Sequence, residues 1–162
     1  MGEPIHPETI FSGALSVEGW IEKRVRELDS SLDLAIYRFN SRRLYRVLNE
    51  AATRGIKVRL VIDRNKYEES GSIRELMVRP RFAVRLAYGR LGPGSKMHHK
   101  FALLDGKAVL TGSYNWTAEA EDQNFENLIL VRESRLVAQF LVEFEARWAD
   151  AKVIEANVIE EP

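Results

Sequence analysis

Met97-His98-His99-Lys100-Phe101-Ala102-Leu103-Leu104-Asp105-Gly106-Lys107-Ala108-Val109-Leu110-Thr111-Gly112-Ser113-Tyr114-Asn115-Trp116-Thr117 is the stretch around which the 162-residue chain is organised. Two largely apolar runs, His99 to Leu104 and Lys107 to Thr111, flank Asp105-Gly106, a pair strongly favoured in two-residue hairpin turns. The spacing predicts two antiparallel strands. Side chains alternate along a strand, so His98 and Lys100 project from one side, about 6.6 Å apart, and His99 from the other, where it packs or hydrogen-bonds. The turn brings Ser113 and Asn115 back towards His98, and Gly112 allows an unusual backbone there. An imidazole, an ammonium, a hydroxyl and a carboxamide thus converge. No pair of metal ligands has workable spacing, so neither metal nor cofactor is expected.

Upstream, the pattern alternates strands and helices. A short strand is expected at Thr9 to Ser12, then a helix capped by Ser16 that carries Val17, Trp20, Ile21, Val25 and Leu28 at helical spacing. Leu32 to Phe39 reads as a buried strand. Asn40 and Ser41 cap the next helix, whose apolar stripe is Leu44, Val47, Leu48, Ala51 and Ala52, and Gly55 ends it. Ile56 to Ile62 is a β-branched strand with Asp63, Arg64, Asn65 and Lys66 beyond its C-terminal end, where ligands gather in open α/β sheets. Ser72 and Glu75 form a capping box for a helix from Ile73 to about Val78, and Phe82 to Ala87 is a strand. Gly89 to Ser95 is a loop that reads equally as a rigid turn or a mobile flap.

Downstream lie a strand from Phe125 to Val131 and a helix from Glu133 to about Ala149 that buries Leu136, Val137, Phe140, Leu141, Phe144 and Trp148. The tail after Lys152 is expected to be loosely held. The fold expected is an α/β sandwich, a mixed central sheet flanked by helices, forming one domain over 1–162.

Composition sets further bounds. The chain has no cysteine, which excludes disulfides, thiolate zinc sites and a cysteine nucleophile. No apolar run reaches the roughly 18 residues of a membrane span. Met1 to Pro7 lacks the features of a signal peptide, so a cytoplasmic protein is expected, and an exported form with its leader removed would read the same. Formal net charge is zero, yet residues 54–107 carry thirteen Lys/Arg against five Asp/Glu. That block suits a substrate with several phosphates, or is solvated surface balanced by the acidic C-terminal third.

His98-x-Lys100-x4-Asp105-x6-Gly112-Ser113-x-Asn115 resembles the signature of the phospholipase D superfamily. The likeness runs from Phe11-Ser12 through Arg54-Gly55-Ile56-Lys57-Val58 and Val61-Ile62-Asp63 to Asn124-Phe125-Glu126-Asn127 and Trp148. It is similar to the small single-motif members, the bacterial endonucleases and the mitochondrial enzymes. The resemblance implies that His98 attacks phosphorus to give a phosphohistidine and that a second motif histidine protonates the leaving oxygen. Lys100, Asn115 and Ser113 bind the phosphate oxygens, Glu126 holds the other ring nitrogen of the nucleophile, and Asp105 is structural.

His6 is followed by Pro7-Glu8, and His99 has Phe101 at the lysine position, so neither starts a second copy. A working site therefore needs a homodimer with two His98 side chains facing across a two-fold axis. Arg38, Arg64 and Lys66 at strand ends are candidate substrate contacts, and Trp116 is either core or a stacking platform. The substrate expected is nucleic acid. A minimal phospholipase acting on lipid head groups is the alternative, and a catalytically silent nucleic-acid-binding domain is the alternative of another class.

Overall fold

The computed structural model describes residues 6–154. Its elements in chain order are β1 (Glu8–Phe11), α1 (Val17–Arg26), β2 (Ser31–Ile36), α2 (Arg42–Thr53), β3 (Lys57–Asp63), α3 (Arg64–Glu69) and α4 (Gly71–Leu76). Then follow β4 (Ala83–Ala87), β5 (Lys100–Leu104), β6 (Ala108–Gly112), α5 (Ala118–Asp122), β7 (Asn127–Val131), α6 (Ser134–Asp150) and β8 (Lys152–Val153). The strands form one mixed sheet in the order β1-β7-β6-β5-β2-β3-β4-β8. β2, β3 and β4 are parallel, joined by helical crossovers, and every other pair is antiparallel.

Alternation along the strands divides the core between the two faces. Leu34, Ile36, Leu60, Ile62, Ala102 and Leu110 share one core with Val17, Ile21 and Val25 of α1 and Leu44, Val47 and Leu48 of α2. Ala35, Val61, Phe101, Leu103 and Val109 share the other with Val137 and Phe144 of α6. The helices start where hydroxyl caps place them: Ser16 Oγ accepts from the Gly19 amide and Ser41 Oγ from the Leu44 amide. Leu136, Phe140, Leu141 and Trp148 of α6 are only partly buried, because this single helix covers its face of the sheet alone.

Several boundaries differ from expectation. β2 ends at Ile36, and Phe39 instead forms an isolated parallel bridge with Trp116. Asp63 caps α3 by accepting from the Lys66 amide, so Arg64 to Lys66 begin a helix rather than a loop. α4 is capped by Ser70, not Ser72, and Glu75 pairs with Arg42, so no capping box forms. In the hairpin Leu104 lies opposite Ala108, so the turn holds three residues, with Asp105 at φ 53° and Gly106 at φ 63°. β5 begins at Lys100, one residue after His99, and β7 begins at Asn127 rather than Phe125. Val153, expected in a loose tail, pairs with β4 together with Lys152 as β8, while 155–162 lie outside the described residues.

Candidate active site

The connectivity brings the ends of seven strands to one edge of the molecule. β1, β2, β3, β4 and β6 finish there, and β5 and β7 start there. Residues at those ends therefore become neighbours whatever their distance in sequence.

His98 enters this edge just before β5. The buried carboxylate of Asp63, at the end of β3, accepts from the Met97 amide at 2.8 Å and from the Lys66 amide at 2.9 Å, which fixes the backbone beside His98. Burial pushes the Asp63 carboxyl up, and those two amides oppose it. The His98 ring lies 4.4 Å from the ring of Tyr37, centroid to centroid. Lys100 Nζ is 3.3 Å from His98 Nδ1 and donates to the His98 carbonyl at 3.1 Å. Burial and the charges of Lys100 and Lys96 hold the His98 imidazole below its ordinary value of 6.5, with Asp63 opposing. Burial also pushes the Lys100 ammonium down, and Glu126 opposes that shift.

From the next strand, Gly112 lies so close to β7 that a Cβ there would stand 2.1 Å from the Asn127 carbonyl oxygen. This close approach, not an unusual backbone angle, requires glycine. It lets the Ser113 amide donate to Asn127 O and the Asn127 amide donate to Ser113 Oγ, each at 3.1 Å. Ser113 Oγ donates in turn to Glu126. The carbonyl of the Asn115 side chain accepts from the Arg38 amide at 3.2 Å, which leaves its NH2 group without a partner among the described residues.

Glu126 does not hold a ring nitrogen of His98 within the chain. Its carboxylate bonds Ser113 and Asn124, and its charge acts on Lys100. Asp105 sits at the opposite end of the hairpin, where its carboxylate accepts from the amides of Asp29, Ser30 and Ser31 and from Ser30 Oγ. His99 points to the α6 side and meets Glu143 at 2.8 Å.

Trp116 is 2% exposed and edge-on to Phe39, so it is core and cannot be a platform for substrate. Arg64 bonds Glu68, lies 5.3 Å from the Tyr88 ring and lines a cavity with Arg74 and Lys152. Lys66 pairs with Glu69 and lies 5.8 Å from the Tyr37 ring, and the Arg38 guanidinium lies 4.0 Å from Glu119; both remain at the site edge. Sequence reasoning gave Tyr37 and Lys96 no place in the site, and put Asp63 at a strand end where ligands gather without foreseeing its hold on the Met97 amide. Tyr37 meets His98 only because β2 pairs with β5, a non-local register that no spacing in the sequence encodes.

Sheet order and the polar groups at its edge define a phospholipase D-like domain. A protein-family model described as cardiolipin synthase, PLD-like domain, matches residues 23–148; the chain belongs to this phospholipase D family. Mitochondrial cardiolipin hydrolases from Mus musculus and Homo sapiens are 35% and 38% identical over 125 and 119 residues, covering 75% and 74% of this chain. Those matches span 53% and 46% of the relatives, so the chain corresponds to about half of their length.

Among solved structures, the phospholipase D family member Nuc from Salmonella typhimurium superposes with a TM-score of 0.80 at 22% identity, over 93% of this chain and 99% of Nuc. NucT from Helicobacter pylori gives 0.79 at 21%, over 92% and 100%. At these identities the likeness is one of fold.

Proposed function

We propose that the chain is a metal-independent phosphodiesterase that works as a homodimer and cuts DNA or RNA with little sequence preference. The contact between His98 and Lys100 at the strand ends, beside Ser113 and Asn115, carries the proposal. Nε2 of His98 attacks phosphorus, a P–N bond forms, and the P–O bond to the leaving group breaks as His98 of the partner subunit protonates the departing oxygen. Water then attacks the phosphohistidine, its proton returns to the partner subunit's His98, and the P–N bond breaks. Lys100 and Asn115 hold the non-bridging oxygens and Ser113 adds a hydrogen bond.

The lowered His98 value favours the neutral ring that a nucleophile needs. A Lys100 donor on Nδ1, however, leaves the ring proton on Nε2. Lys100 must therefore turn from the ring to a phosphate oxygen before attack, and substrate supplies that acceptor.

Arg90, Lys96 and Lys100 are the part of the basic block that favours a polyanion here. Much of the remainder is engaged elsewhere: Arg59 with Asp33, Arg74 with the carbonyls of Tyr67 and Glu68, and Arg85 with the Trp148 carbonyl. The phospholipase reading has two observations of its own. The relatives are named for cardiolipin, and Phe125, beside Glu126, is 99% exposed, with Phe11 opposite Asn127 also exposed. The same rings suit the face against which a second copy would pack.

A silent binding domain would need a missing motif residue, and the set is complete. Among the described residues no helix is long and apolar enough to cross a membrane.

Incubation with single- and double-stranded DNA, RNA and vesicles of phosphatidylcholine or cardiolipin in excess EDTA, beside His98→Ala, tests the proposal. Nucleic-acid cleavage that persists in EDTA and disappears in His98→Ala is expected. Lipid cleavage alone would overturn the substrate, and loss of activity in EDTA would overturn the metal-free mechanism.

A further inference from the structure

A cavity of about 380 Å³ opens beside His98, between the strand ends and α6. Its walls include Tyr88, Arg90, Lys96, Glu143 and Arg147 as well as His98 itself. Three cationic side chains thus face one carboxylate, and that carboxylate is already bound by His99 at 2.8 Å and Arg147 at 3.1 Å. Neither Arg90 nor Lys96 has a carboxylate partner among the described residues. Lys96 is close enough for its charge to act on His98.

Arg90 does not sit on a slack loop. Its neighbour Gly89 packs against the Lys96 backbone, where a Cβ would lie 2.5 Å from the nitrogen, and the Gly89 amide donates to Ser95 O at 3.0 Å. Ser95 Oγ donates to Gly92 O at 2.7 Å, and Asn65 clamps the loop from α3 through Ser95 O at 2.9 Å. The segment from Gly89 to Ser95 is therefore a braced turn, which resolves the choice between turn and flap. Cations without a carboxylate partner, carried on a braced turn beside a nucleophile, with Lys96 6.0 Å from the Tyr37 ring and Tyr88 in the wall beneath Arg64, suit an anionic, base-bearing ligand. The volume falls within the roughly 300–1,000 Å³ of small-molecule sites.

We infer that this cavity is the subsite for the nucleotide next to the scissile phosphodiester, with its phosphate bound by Arg90 and Lys96. The inference rests on the nuclease reading of His98. It predicts that the enzyme gains rate from the phosphate flanking the one it cuts.

The test compares wild type, Arg90→Ala and Arg90→Lys on three substrates. These are bis(p-nitrophenyl) phosphate, which has one phosphodiester, a single-stranded oligonucleotide, and the same oligonucleotide with a neutral methylphosphonate on either side of the cut. Arg90→Ala should lower kcat/KM on the oligonucleotide about tenfold more than on bis(p-nitrophenyl) phosphate, the scale of one charge-assisted hydrogen bond. Arg90→Lys should recover part of that loss, and methylphosphonate at the flanking position should remove the difference between wild type and Arg90→Ala. The slope of log kcat/KM against log salt should fall by about 0.7.

Equal losses on both substrates, or none on the oligonucleotide, would overturn the subsite. An Arg90 effect on cardiolipin vesicles with none on the oligonucleotide would overturn its assignment to nucleic acid. Wild type inactive on all phosphodiesters would instead overturn the reading of His98, a result distinguishable from these.

Discussion

Asp105 acts from the far end of the hairpin, where it ties the turn to the start of β2. Burial pushes its carboxyl up, but the amides of Ser31, Asp29 and Ser30 and the Ser30 hydroxyl outweigh burial and hold it below its ordinary value. Because the folded value is depressed, this contribution to stability is complete above about pH 4 and is lost as pH falls through the lower folded value. Asn tolerates the positive φ of the turn, so Asp105→Asn isolates the carboxylate. It should cost about 1–3 kcal/mol in denaturant unfolding at pH 7, a gap that narrows in acid. No such gap would show the carboxylate to be dispensable.

At His98 the sign is similar in direction. The folded value lies below 6.5, so the neutral nucleophile persists into mild acid and the acid limb of activity should fall below 6.5. With two identical histidines in opposite protonation states, the pH–rate profile should be a bell whose limbs belong to the pair. Lys96→Ala removes one of the charges holding the value down and should move the acid limb upward. A rate rising steadily through neutral and basic pH would contradict the paired histidines.

Among the elements, the β6–β7 contact is the one most sensitive to a single carbon. Gly112→Ala would place Cβ against a backbone carbonyl that cannot move without opening the two strands. A loss of about 1–3 kcal/mol is expected, together with impaired turnover as Ser113 shifts from Asn127 and Glu126. An Ala variant with wild-type melting and turnover would show that the strands give way freely.

The long elements were legible for physical reasons: α1 and α2 carry apolar stripes, and β2, β3, β5 and β6 carry β-branched or leucine-rich runs. α3, α5 and β8 were not. α3 buries no residue fully and α5 only Ala120, so neither has a periodicity to read. β8 exists because β4 offers an open edge, which is a tertiary fact. At the site the motif residues were legible from their spacing, whereas Tyr37, Asp63 and the cavity beside Arg90 depend on which strands become neighbours. Glu126 shows the reverse difficulty, since the motif singled out its position but its bonds within the chain run to Ser113 and Asn124 rather than to His98.

For the molecule as a whole, the sheet gathers seven strand ends into one polar edge, with basic groups around His98 and exposed aromatic rings at Phe11 and Phe125. One chain supplies a single His98-Lys100 pair, and the proposed chemistry needs both a nucleophile and an acid. Dimerisation is therefore the central claim. The direct measurement mixes a fixed amount of wild type with increasing His98→Ala, after subunit exchange, and follows nuclease activity in EDTA. With equal amounts of the two, activity per wild-type chain should fall to about half, because half of the wild-type chains then sit opposite a partner that lacks the second histidine. Activity per wild-type chain that stays constant at every ratio would show that one chain suffices, and would contradict the composite site.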